Sequence, residues 1–318
     1  DTLVHEGFDE FIPALETFTG TRRPEREPGK VTDAAKDFIE RHRDERFFLY
    51  LHYMQPHDPY FPPSPYANEF TVDPVRAITP DAESIMAVSD RDRPLKPAAL
   101  DQLRARYDEN LLSVDAEVGR LFDALRALGV ADDTVVIIAA DHGEAFFEHG
   151  LLSHNLSVYD EMTHIPLVLH GPGVQAALGA RVEHVVSNVQ LYPTICGLFG
   201  VQPPPSVTAP PLFEPEPAPG ICAYAQAVFP ETPQEAYWWP RHKLVRDRYT
   251  AAIEVYDLET DPGERVNLAG VYPVLADWLE AEAAAWRAGL DAGAIPPRDD
   301  VVISPARREQ LEALGYLH

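Results

Sequence analysis

"TVVIIAADHGEAFFEHGLLSH", residues 134–154, begins as an apolar, β-branched run and ends in acids and histidines. The opening half has the texture of a strand covered on both faces. Asp141, His142 and Gly143 stand where that strand must end. Upstream, "LDQLRARYDENLLSVDAEVGRLFDALRALG" (100–129) repeats at helical spacing. Leu103, Tyr107, Leu111, Val114, Val118, Leu121, Leu125 and Leu128 are predicted to share its buried face, and Gly129 to stop the helix.

The same order of elements occurs once earlier. Residues 30–43 ("KVTDAAKDFIERHR") carry helical periodicity, and "RFFLYLHYM" (46–54) is a nearly continuous apolar run. Helix then strand, twice over, predicts an α/β fold with a mostly parallel sheet. "IPLVLHG" (165–171) reads as a further buried strand, and "HVVSNVQLYPTICGLFG" (184–200) as a strand edge and a short helix closed at Gly200. Residues 202–220, "QPPPSVTAPPLFEPEPAPG", form a proline-rich excursion. Beyond it the texture predicts an antiparallel meander, then helices over 272–290 and 305–314. Three regions are expected: an α/β core over 1–201, a linker over 202–220, and an antiparallel subdomain with terminal helices over 221–318. Within 61–97 a short helix is possible near 82–88.

Composition narrows the function. A formal charge of −25, with four lysines beside twenty-two arginines, opposes binding to nucleic acid or anionic membranes. No stretch approaches the ~20 apolar residues of a membrane helix. Cys196 and Cys222 have apolar neighbours and no metal-type spacing, so buried free thiols are expected. An anionic substrate would need local positive charge, such as a metal, in so acidic a protein.

Ligands of open parallel sheets bind outside the carboxyl ends of the strands. Two such ends carry histidine and aspartate: 46–54 leads into "QPHDP", with His57, and 134–140 leads into "DHG". Gly143 is expected to supply the bend that aims Asp141 and His142 at one point. A carboxylate beside an imidazole suits a divalent ion. Capping of a following helix by Asp141 is the other reading, and spacing leaves the two open. His149 and His154 favour the metal. His52, Tyr53 and Tyr60 are expected to serve packing.

"FFLYLHYMQPHDPYFPP" resembles the strand-and-loop motif of the sulfatase family, in the alkaline phosphatase-like superfamily. "DHGEAFFEHGLLSHNLSVYDEMTHIPLVLHGPG", "VYDLETDPGERVNLAG" and "REQLEALGYLH" are similar to its later landmarks, in order. The resemblance implies a metal-dependent sulfuric ester hydrolase acting on a small-molecule or glycan sulfate ester. It implies that Asp141 and His142 are metal ligands, where many members have Asp-Asn, and that His57 contacts the sulfate. His154 falls where the family usually has an anion-binding lysine. One divalent ion is implied, calcium by the family's habit, with manganese or zinc admitted by the imidazole of His142. The family's first strand carries Asp-Asp and is followed by a nucleophile in Cys/Ser-x-Pro/Ala-x-Arg, matured to formylglycine. Neither stands ahead of "GFDEF" (7–11). The expectation is therefore an amino-terminally truncated piece of a longer enzyme, inactive by itself. A phosphate or phosphonate ester hydrolase and a non-catalytic relative are the alternatives.

Overall fold

A computed structural model describes residues 7–12, 27–58, 60–70, 97–154, 157–174, 181–213, 220–227 and 233–292. The helices expected near 82–88 and over 305–314 lie outside the described residues. Helix α1 (Pro28–His42) opens on proline, whose fixed φ suits the first turn. Its Ala35 and Ile39, one turn apart, pack on Leu121 and Leu125 of α2 (Pro97–Ala127). Gly129, at φ 74°, ends that helix as expected. Strand β1 (Val136–Ala139) follows, then the short pair β2 (Ala145–Phe146) and β3 (Leu152–Ser153). A single turn, α3 (Asp160–Thr163), leads into β4 (Leu167–His170).

β4 pairs antiparallel with β1, Val136 opposite His170 and Ala139 opposite Leu167. Every ladder among the described residues is antiparallel, whereas the helix–strand alternation predicts parallel neighbours. The cause lies between β1 and β4. A hairpin and one helical turn connect them, not the full crossover helix that a parallel neighbour requires. The run 46–54 also departs from expectation. Residues 46–54 carry no ladder, although Phe47, Leu49 and Leu51 alternate onto the α1–α2 core. The opposite face is open, with Tyr50 61% exposed. This segment is covered on one face, not two.

Helix α4 (Leu191–Phe199) closes at Gly200 in the left-handed conformation. The meander β5 (Ala223–Gln226), β6 (Gln234–Trp238), β7 (His242–Asp247) and β8 (Ile253–Asp257) pairs consecutively. Its two-residue period divides the core. Tyr237, Leu244 and Val255 meet Ala276, Leu279 and Ala283 of α5 (Pro273–Ala292). Ala236, Trp238, Val245 and Tyr256 meet Val158 and Tyr159 on the other face. That second layer seats the chain just before α3, and so holds the segment behind the Asp-His-Gly turn. Among the described residues no helix is long and apolar enough to cross a membrane.

Candidate functional site

Asp141 and His142 leave the end of β1 as a turn. The Asp141 carboxylate accepts the backbone N–H of His142 at 3.0 Å, and His142 Nδ1 lies 2.8 Å from the Gly143 carbonyl. Gly143 donates to the Met162 carbonyl at 2.8 Å, which fastens the turn to α3. Its role differs from the expected one, since its φ is not positive. A Cβ on residue 143 would overlap the Glu161 carbonyl oxygen and lie 3.0 Å from the carbonyl carbon. Close approach of two backbones, not a bend, demands glycine here.

The β2–β3 hairpin then returns the chain. Ala145 faces Ser153 and Phe146 faces Leu152, so the next outward pair in this register is Glu144 with His154. The side chains realise that pairing, with His154 Nδ1 3.2 Å from the Glu144 carboxylate and both groups buried. The His154 ring stacks on that of His142 (centroids 4.5 Å, planes 22° apart). His57, on the turn after 47–54, meets His154 edge-on at 4.5 Å. His57 Nδ1 lies 2.7 Å from the Asp58 carbonyl and 3.0 Å from its carboxylate. Donor atoms of His57, Asp58 and His154 all lie within 4.8 Å of one another.

Three of the four residues singled out in the sequence, His57, His142 and His154, thus form one cluster. Asp141 stands at its edge with a side chain 68% exposed. His149 is elsewhere. It stacks on Tyr159 at 3.8 Å, with Nδ1 2.8 Å from Glu161 and Nε2 3.1 Å from the Glu264 carbonyl. His52 is exposed beside the Tyr50 hydroxyl. Tyr53 packs as expected, 2.9 Å from the Thr32 hydroxyl, and Tyr60 is buried with Tyr107 and Phe146 under the cluster. Glu144 and Asp58 escape a reading of the sequence. The available signals are the acid after "DHG" and the acid beside His57.

Burial alone would lower the pKa of His154. The hydrogen bond and charge of Glu144, then the charges of Asp58 and Asp141, outweigh it, and the net direction is upward. The upward direction reports the negative potential of these three carboxylates, which favours a bound cation. Burial also drives the Tyr60 phenol upward, with Glu144 the next cause, so this hydroxyl stays neutral. Such a group of imidazoles suits a divalent ion or an anion.

Known proteins resemble the chain along this stretch. A Delta 4,5-hexuronate-2-O-sulfatase of Bacteroides thetaiotaomicron is 30% identical over 176 residues, covering 52% of this chain and 36% of its own. The multifunctional alkaline phosphatase superfamily protein PehA of Trinickia caryophylli is 26% identical over 317 residues, covering 84% and 62%. A phosphonate monoester hydrolase from Silicibacter pomeroyi superposes with a TM-score of 0.66 at 21% identity, over 89% of this chain and 64% of that one. The chain thus spans about a third of the length of the first curated relative and under two thirds of the second. The fold is α/β, of the alkaline phosphatase-like kind, with a smaller antiparallel sheet. The family model described as Sulfatase matches residues 3–201, more than half of the chain, and the protein belongs to that family.

Proposed function

We propose that the protein this chain represents is a metal-dependent sulfuric ester hydrolase acting on a glycan or small-molecule sulfate. The observation that carries the reading is the convergence of His57, His142 and His154 at the end of β1, above buried Glu144. The name of the Bacteroides relative supports a sulfated sugar as substrate class. We also propose the division 1–201, 202–220 and 221–318. The family match ends at 201, and the antiparallel sheet starts at Ala223.

Asp141 and His142 would hold the ion, with the His57–Asp58–His154 group beside them. Calcium takes oxygen donors almost alone, whereas imidazole suits manganese and zinc. This donor set favours the latter two over the calcium expected from family habit. When bound, the ion supplies Lewis-acid polarisation of the ester oxygens. The residues of this chain do the rest. His57 and His154 direct N–H groups at the non-bridging and leaving oxygens, where negative charge grows in the transition state. The Tyr60–Tyr107–Phe146 group keeps water from the rear of the site.

A phosphonate ester hydrolase is the second reading, in line with the printed name of the Silicibacter pomeroyi structure that shares the fold. The test compares aryl sulfate with aryl phosphonate hydrolysis by the complete gene product in manganese, zinc or calcium. Preference for sulfate by tenfold or more, strongest with manganese or zinc, is expected. Preference for phosphonate selects the second reading. Turnover of neither, with no metal uptake by calorimetry, overturns both.

A further inference from the structure

We propose that Glu144 is a positioning residue: it holds one proton of His154 on Nδ1, so that Nε2, which carries the second proton of the charged ring, faces the ester's leaving oxygen. The role of His154 in this statement rests on the function proposed above; the pairing itself rests on geometry alone. An imidazole has two distinct nitrogens, and the partner of one decides what the other presents. His154 Nδ1 lies 3.2 and 3.3 Å from the two Glu144 oxygens, with the Ser153 hydroxyl at 3.4 Å. A carboxylate only accepts, so the hydrogen on that contact belongs to the ring.

The backbone makes this pairing a consequence of register. Glu144 and His154 are the pair next to Ala145–Ser153, and a shift by one residue would send both side chains to opposite faces. Phe147 (φ 70°) and Ser153 (φ 72°) hold left-handed backbone on the hairpin, so the register is built at some conformational cost. Both partners are deeply buried, with side-chain exposures of 6% and 5%. The Glu144 charge also acts on the buried Tyr60 phenol, helping to push its pKa upward. The stack on His142 and the edge contact with His57 fix the plane of the His154 ring. A lone imidazole would be free to flip between two tautomers; this one is held in a single orientation.

The experiment uses the chain with ¹⁵N-histidine label and follows nitrogen shifts in the wild type, Glu144→Gln and Glu144→Leu, with His154→Gln for assignment. Glutamine still offers a carbonyl oxygen at the same reach, and leucine offers none. In the neutral ring, read at high pH, Nδ1 of His154 is expected to carry the proton in the wild type and E144Q and to lose it to Nε2 in E144L. Near-ultraviolet circular dichroism on each variant identifies any that fails to fold; where E144L does, the presence or absence of the Nδ1 proton in the wild type decides. In the complete enzyme, E144L should lower kcat by about 10- to 100-fold with KM nearly unchanged, and E144Q should restore most of it. An unprotonated Nδ1 in the wild type, an unmoved proton in E144L, or an E144L enzyme of normal kcat overturns the proposal. Should no ester be turned over while the proton moves as stated, the proposed function fails and the Glu144–His154 pairing stands.

Discussion

Gly143→Ala tests how the site is held. A Cβ at residue 143 meets only main chain: it overlaps the Glu161 carbonyl oxygen and lies 3.0 Å from the Glu161 carbonyl carbon and 3.3 Å from Met162 Cα. No rotamer change can relieve contacts with backbone. The turn and α3 must therefore separate, and the 2.8 Å bond from Gly143 N–H to the Met162 carbonyl is lost with them. Forcing a methyl into packed structure costs about 1–3 kcal/mol. Losing the bond costs about 0.5–1.5 kcal/mol more. The total, about 1.5–4.5 kcal/mol, corresponds to a fall of roughly 2–7 °C in Tm at this size. Gly197→Ala is the control, since it lies within α4 with open space at its Cβ, and alanine there gains about 0.5–1 kcal/mol of helix preference. Thermal unfolding by circular dichroism reads both. A G143A melting point within about 1 °C of the wild type would refute the close-approach argument.

Two further tests probe the contact between the site segment and the meander. Burial works against a charged His149, yet the larger effect of the Glu161 hydrogen bond raises its pKa. A raised value means that its stabilisation is full below the unfolded pKa, about 6.5, and is lost as pH rises through the folded one. His149→Phe keeps the stack on Tyr159 and should cost about 1.5–3 kcal/mol near pH 6. Urea midpoints should show that deficit shrinking toward about pH 9; a constant deficit refutes the assignment. Lys243→Met removes one partner of a fully buried ion pair, Nζ 2.6 Å from Glu264 Oε1, and should cost about 3–5 kcal/mol. Adding Glu264→Gln should recover at least half of the urea midpoint, because the amide oxygen can still accept the Asp160 N–H.

Much of the fold is legible where local chemistry suffices. Gly129 and Gly200 end their helices as read, β1 and β4 stand where the apolar runs put them, and an antiparallel meander follows the proline-rich stretch, with β6 (Gln234–Trp238) a strand that the reading did not single out. The buried line of α2 is another matter. Leu111 is 41% exposed, and the line passes instead through Asn110, Ser113 and Glu117. Asn110 donates to the Arg106 carbonyl, Ser113 to the Asn110 carbonyl, and Glu117 accepts from Arg120, so polar groups go inside at little cost. Hydrophobic periodicity has no way to register such local satisfaction.

The candidate site divides along the same principle. His57 and His142 are visible because each follows an apolar run, although only β1 of those two runs is a strand. Glu144 is not visible, since its meaning depends on a hairpin register set by two left-handed residues. The proline-rich stretch at 202–220 gives no hint of which contacts join the residues on its two sides. Glu264, beyond that stretch, pairs with Lys243 of β7 through Oε1, accepts the first N–H of α3 through Oε2, and offers its carbonyl to His149. α3 in turn accepts the Gly143 N–H of the Asp-His-Gly turn. One buried carboxylate from the meander thus braces the helical turn against which the site's own backbone closes. By that chain of contacts, a loosened Glu264 reaches the backbone of the Asp-His-Gly turn through α3.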